Sequence, residues 1–171
     1  MEEEKNLLNE IAAGSYDASD RPFDFVATDG KTALICESDE NVRTKLCCAL
    51  DNMGYQTTIA ASARDALKSM RFHLFDMVIV NEYFATTPPD RNDVLAYLET
   101  LAMATRREIF VALVSDKYRT MDNMAAFNQS VNVVINLKNI DDAGTILLGA
   151  VADNAAFYHV MKDVLKKMGR I

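Results

Sequence analysis

A chain of 171 residues suits one domain with a full core and some excess, because single domains most often hold about 100–150 residues. Half of its residues are hydrophobic and a quarter charged, a composition that excludes a fibrous or wholly disordered chain. The formal net charge of −7 is uneven, since residues 1–30 hold eight acids against two bases and the remainder is nearly neutral. No basic run with interleaved aromatics offers a nucleic-acid surface. No apolar run approaches the roughly 20 residues that a bilayer needs, and "MEEEKNLLNE" is acidic where a secretory signal would be basic and then apolar. The expected location is the cytoplasm. Cys36, Cys47 and Cys48 form no CxxC and no even framework, so they are expected to be buried free thiols.

In chain order, residues 1–30 form an acidic extension, with a short helical pattern around Leu7, Leu8 and Ile11, then a turn-prone stretch and a short strand "FDFVA". From Lys31 to Ile171 the pattern is that of one domain. Its apolar runs "TALIC", "YQTTIA", "MVIV", "IFVALV" and "NVVI" are short and bounded by polar residues, as buried parallel strands are. A helix lies in each interval. Val42, Leu46, Leu50 and Met53 recur at helical spacing with Gly54 just past the end. Ser62 N-caps "ARDALKSM", and "DVLAYLETLAMA" and "YRTMDNMAAFNQ" supply the next two. The last helix runs from Ile140 to Met168, with Leu147, Val151, Tyr158, Met161, Leu165 and Met168 in one stripe and Gly169 as its stop. Five βα units with right-handed crossovers predict a doubly wound α/β fold around a five-stranded parallel sheet.

The segments "ALICESDENVR", "DMVIVNEYF", "FVALVS" and "VVINLKN", joined by "LDNMGYQTTIAASARDAL", resemble the pocket-forming segments of a response-regulator receiver domain of the CheY-like kind. The resemblance covers about four-fifths of the chain and implies the strand order 2-1-3-4-5. In such domains two acids after the first strand and an Asp after the third bind magnesium, and that Asp accepts a phosphoryl group. A Lys and a hydroxyl complete the cradle, because phosphoryl oxygens need a hard cation and fixed donors around a nucleophilic carboxylate.

Carried over by position, Glu37 and Ser38 match the acid pair, Asn81 the acceptor, Ser115 the hydroxyl and Lys138 the lysine. Asn81 cannot form an acyl phosphate, since an amide oxygen is a very poor nucleophile, and one carboxylate leaves at most a weak magnesium site at Glu37 and Asn81. Lys138 is expected to pair with Glu37 or with the Asn81 amide. Glu82 is expected to face away from Asn81 by strand alternation. The family's switch aromatic is replaced by Ile135, the Pro after the lysine by Asn139, and the connection "EYFATTPPDRND" carries Pro88 and Pro89.

Beside this pattern, His73 and His159 lack any Ser or Cys partner in a catalytic motif, and Met70, Met103, Met121 and Met124 are expected to fill core or grooves. No GxGxxG follows the first strand, so no dinucleotide site is expected. The resulting expectation is a pseudo-receiver, not an enzyme and without cofactor. It would act as a signalling adaptor through protein contacts and, with no output domain after Ile171, by binding another protein. Homodimerisation through the last helix, or through the face of the fourth helix, fifth strand and fifth helix, is one form of this. Alternatives are a receiver phosphorylated at Glu82 or Ser38, and a flavodoxin-like small-molecule binder.

Overall fold

The computed structural model describes residues 30–86 and 92–170. The helical and strand patterns read in residues 1–29, and Pro88 and Pro89, lie outside the described residues. The elements follow as β1 Lys31–Cys36, α1 Glu40–Asn52, β2 Tyr55–Ile59, α2 Ala63–Phe72, β3 Met77–Asn81, α3 Asp93–Thr100, the single turn α4 Met103–Arg106, β4 Phe110–Ser115, α5 Asn123–Asn128, β5 Val133–Asn136 and α6 Ala143–Lys167. The strands pair in parallel in the order β2-β1-β3-β4-β5. This is the topology expected of the sequence.

Alternate residues of each strand feed two cores. Leu34, Val78, Val80, Val111, Leu113 and Val134 pack under α2, α3 and α5. Ala33, Ile35, Met77, Ile79, Ala112, Val114 and Ile135 pack under α1 and α6. All six residues of β4 are buried, which is why its run reads as continuously apolar rather than alternating. Because the strands are parallel, every one of them ends at the same edge of the sheet, and polar residues gather there.

Local signals explain most boundaries. Asp39 N-caps α1 by accepting from Asn41 N and Val42 N, and Ser62 caps α2 through Asp65 N. Gly54 and Gly169 take positive φ of 79° and 64° just past α1 and α6, the left-handed turn that glycine adopts without steric cost.

Three boundaries differ from the sequence reading. "DVLAYLETLAMA" is not one helix, because Leu101 leaves it with ψ of 141° and only Met103–Arg106 turns again. "YRTMDNMAAFNQ" is helical only over Asn123–Asn128, with Asp122 as N-cap and Met121 at a φ of 59°. The last helix begins as 3-10 turns over Leu137–Asp142, kinked at Asn139, and then runs unbroken through Gly144 and Gly149.

Candidate functional site

Four of the five strands end at the carboxyl edge in the same way. Glu37 Oε1 accepts from Asp39 N at 2.9 Å, Asn81 Oδ1 from Tyr83 N at 2.9 Å, Ser115 Oγ from Lys117 N at 3.1 Å and Asn136 Oδ1 from Lys138 N at 2.9 Å. Each polar side chain at or just past a strand's end satisfies the N–H two residues on, the geometry that Asx and related turns use to leave a strand. These turns hold the site together.

Glu37 is 3% exposed, and a carboxylate so buried must be hydrogen-bonded. Its second oxygen, Oε2, accepts from Asn81 Nδ2 at 2.7 Å. The Asn81 amide can sit only one way round, because Nδ2 faces an acceptor-only carboxylate and Oδ1 faces a backbone N–H. The N–H dipole of Asn81 therefore supplies the positive end that a cation would otherwise bring to Glu37. A magnesium ion does not fit this donor set. It would need oxygens turned toward one point, whereas both Glu37 oxygens are engaged, the Asn81 oxygen turns to Tyr83, and Ser38 is neutral and exposed. Among the described residues no three of His, Cys, Asp and Glu gather in a way that could hold a metal.

Glu82 turns the other way from Asn81, as strand alternation leads one to expect, yet it stays at the carboxyl edge. Asn81 reaches across to β1, and Glu82 reaches the other way to β4, where its Oε2 accepts from Ser115 Oγ at 2.7 Å. Ser115, 1% exposed, is thereby held between Glu82 and Lys117 N. The Lys117 ammonium lies 3.0 Å from Glu82 Oε1 and 5.0 Å from the centre of the Tyr83 ring, and Tyr83 and Glu82 together hold it above the usual lysine range.

Lys138 does not pair with Glu37 or Asn81. It is exposed, and among the described residues its ammonium makes no ion pair; the 3-10 start at Leu137 carries it away from the edge. Asn136 is the residue that the sequence reading missed. It donates from Nδ2 to Tyr118 O at 2.7 Å and to Asp116 O at 3.3 Å, and its own N–H reaches Thr120 Oγ1 at 2.9 Å. The loop after β4 is thus tied to the end of β5. Ile135, in the place of the family's switch aromatic, is fully buried.

Asn92 was also missed, although an Asn just ahead of a periodic apolar run is an N-cap signal. Its Oδ1 caps Val94 N and Leu95 N, while Nδ2 donates to the carbonyls of Asn81, Glu82 and Phe84 at 3.0, 3.4 and 3.3 Å. One buried amide thus joins α3 to the segment that carries Asn81 and Glu82.

The remaining candidates lie apart. His73 Nε2 shares a 2.8 Å hydrogen bond with Thr32 Oγ1, and His159 stands exposed beside Asp163. Of the three free thiols only Cys36 is buried, its pKa pushed far up by that burial; Cys48 is exposed, because it falls on the outer face of α1. Met70 packs against the core, whereas Met103, Met121 and Met124 are exposed, Met103 and Met121 each on the wall of a surface groove.

No protein-family model and no curated protein matches this sequence. Among solved structures the chain is similar to a CheY-like receiver domain from Methanospirillum hungatei, at 20% identity and a TM-score of 0.55 over 74% of this chain and 97% of that one. It is similar to the receiver domain of an HD domain-containing protein from Pseudomonas fluorescens, at 17% identity and 0.55 over 74% and 98%. It also resembles NtrX from Brucella abortus, at 16% identity and 0.60 over 82% of this chain and 30% of that longer one. The fold is that of the response-regulator receiver domain, a five-stranded 2-1-3-4-5 sheet with helices on both faces and a long last helix. No helix among the described residues is long and apolar enough to cross a membrane.

Proposed function

We propose that this chain is a non-phosphorylatable pseudo-receiver that acts as a signal-transduction adaptor through protein contacts. One observation carries the reading: the residue at the acceptor position, Asn81, spends its amide on Glu37 and on the Tyr83 N–H. It offers neither a nucleophilic carboxylate nor an oxygen to a metal. The engagement of Ser115 by Glu82 supports the same reading, because the hydroxyl that would meet a phosphoryl oxygen already donates to a carboxylate of the protein.

Glu82 is a poor substitute acceptor, since its two oxygens are held by Ser115 and Lys117. The test is an amide NMR titration with magnesium and then beryllium fluoride, joined to intact-mass analysis after incubation with acetyl phosphate. Unmoved resonances at Glu37, Asn81, Ser115 and Lys138 with an unchanged mass are expected. Saturable shifts at those residues, or a phosphoryl mass on Glu82 or Ser38, would turn the adaptor into a switch.

A further inference from the structure

We propose that a cleft at the amino edge of the sheet, where Arg107, Met103, Phe127 and Tyr158 converge, is the groove in which a partner protein docks an acidic, amphipathic segment. The inference rests on the adaptor reading and gives it a surface. That surface lies at the far edge of the sheet from Asn81, where β4 and β5 begin.

The cleft has a volume of about 550 Å³ and lies between α3, α4, the end of α5 and α6. Two adjacent guanidiniums shape it. Arg106 is committed to the fold, donating from Nη1 to Ile109 O at 2.9 Å and from Nη2 to Ser130 O at 2.6 Å. Burial lowers its pKa, with only the Tyr158 phenol acting in the other direction. Arg107 is committed less fully. Its Nε donates to Met103 O at 3.0 Å, and its Nη1 has the Met161 thioether at 3.1 Å, a weak acceptor. Its Nη2 has no protein partner among the described residues.

Neither guanidinium has a carboxylate within salt-bridge distance among the described residues. A half-buried pair of like charges in that position favours a carboxylate from outside, for which Arg offers two parallel N–H donors. Glu99 also lines the cleft, and the incoming carboxylate is assigned to Arg107 because that guanidinium is the less fully committed of the two.

The apolar part of the groove favours a polypeptide over a small molecule. Met103 is 66% and Phe127 78% exposed, so the walls stand open rather than enclosing a ligand as small-molecule sites do. Met, Arg, Phe and Tyr are the side chains that concentrate at the centres of protein interfaces. An amphipathic segment with an acid beside Leu, Met or Phe would cover the two open side chains and neutralise Arg107 in one contact.

The test selects binders of the full chain from a displayed library of short random peptides and maps the synthesised winners by amide NMR. Winners that pair Asp or Glu with a large apolar residue, and that shift the amides of Leu101, Arg107, Phe127, Asn132 and Tyr158, are expected. Arg107→Gln should weaken them about tenfold, Arg107→Lys less and Phe127→Ala comparably, with unchanged melting temperatures showing that the fold survives. A selection that returns no binder, winners without acids, winners that bind Arg107→Gln equally well, or shifts confined to another face would each sink the proposal. So would a dimer of the chain itself that closes this cleft and is lost in Arg107→Gln. Beryllium fluoride shifts at Asn81 and Ser115 would instead remove the adaptor reading while leaving the groove as mapped.

Discussion

Replacing Asn81 by Asp would put a second carboxylate where Nδ2 now donates to Glu37 at 2.7 Å. The lost hydrogen bond and the like-charge contact are expected to cost about 2–3 kcal/mol, read as a lower urea midpoint in Asn81→Asp. Millimolar magnesium should restore much of it in the variant and change nothing in the parent, because only the variant presents paired anionic oxygens. Asn92→Ala removes an N-cap and a donor to three carbonyls together and should lower stability by about 2 kcal/mol, measurable in the same unfolding experiment. Lys117 supplies a pH signature. Its folded pKa lies above its ordinary 10.5, so its contribution is complete below that value and is lost as pH rises through the raised one. Glu82→Gln should bring the Lys117 ammonium titration, followed by NMR, back down toward 10.5. At this scale Asn81 was readable, because its place is set by strand position alone. The Glu82 to Ser115 bond was not, because alternation along one strand says nothing of how far a long side chain reaches toward the next.

Among the elements, α6 shows how local signals succeed and fail. Its stop was legible in Gly169 because a left-handed residue after a helix is a short-range requirement. A Cβ added at Gly144 would meet Ala49 Cβ at 3.5 Å and one added at Gly149 would meet nothing within 4 Å, and the helix runs through both. Gly149→Ala should raise stability by about 0.5–1 kcal/mol in urea unfolding without altering the fold. The helix also carries a second apolar stripe, Phe157, Val160 and Val164, that stands exposed beside the one read from the sequence. The broken helix after α3 had no signal at all: Leu101 and Ala102 are good helix formers, and the departure goes with a tertiary contact, the Arg106 bond to Ser130 O. The shortened α5 is similar, since the loop before it is held by Asn136, a partner 18 residues from Tyr118.

For the whole molecule, the parallel sheet made the fold legible. Five apolar runs, each followed by a helical interval, admit few arrangements once crossovers are right-handed, and the observed order is the one among them that the resemblance to receiver domains implied. The same parallelism gives the chain two chemically different poles, a carboxyl edge of satisfied polar caps and an amino edge with an incompletely partnered arginine. Chelation offers a check on the first pole. Treatment with EDTA should leave the melting temperature of the parent chain unchanged, and a drop would show that a metal is held there after all.

The bond between Glu82 and Ser115 bears on how such a molecule could carry information. A switch stores its message in the ratio of two shapes, and that ratio moves only if the shapes lie within a few kcal/mol and a ligand prefers one of them. Here the loops after β3 and β4 are joined by side chains that the polypeptide brings with it, and under the proposed adaptor role the ratio is set at synthesis. On the proposed reading, the variable left to the cell is abundance. A chain of one shape reports by how many copies are present to occupy a partner, and its dose–response follows simple mass action, graded and without a threshold.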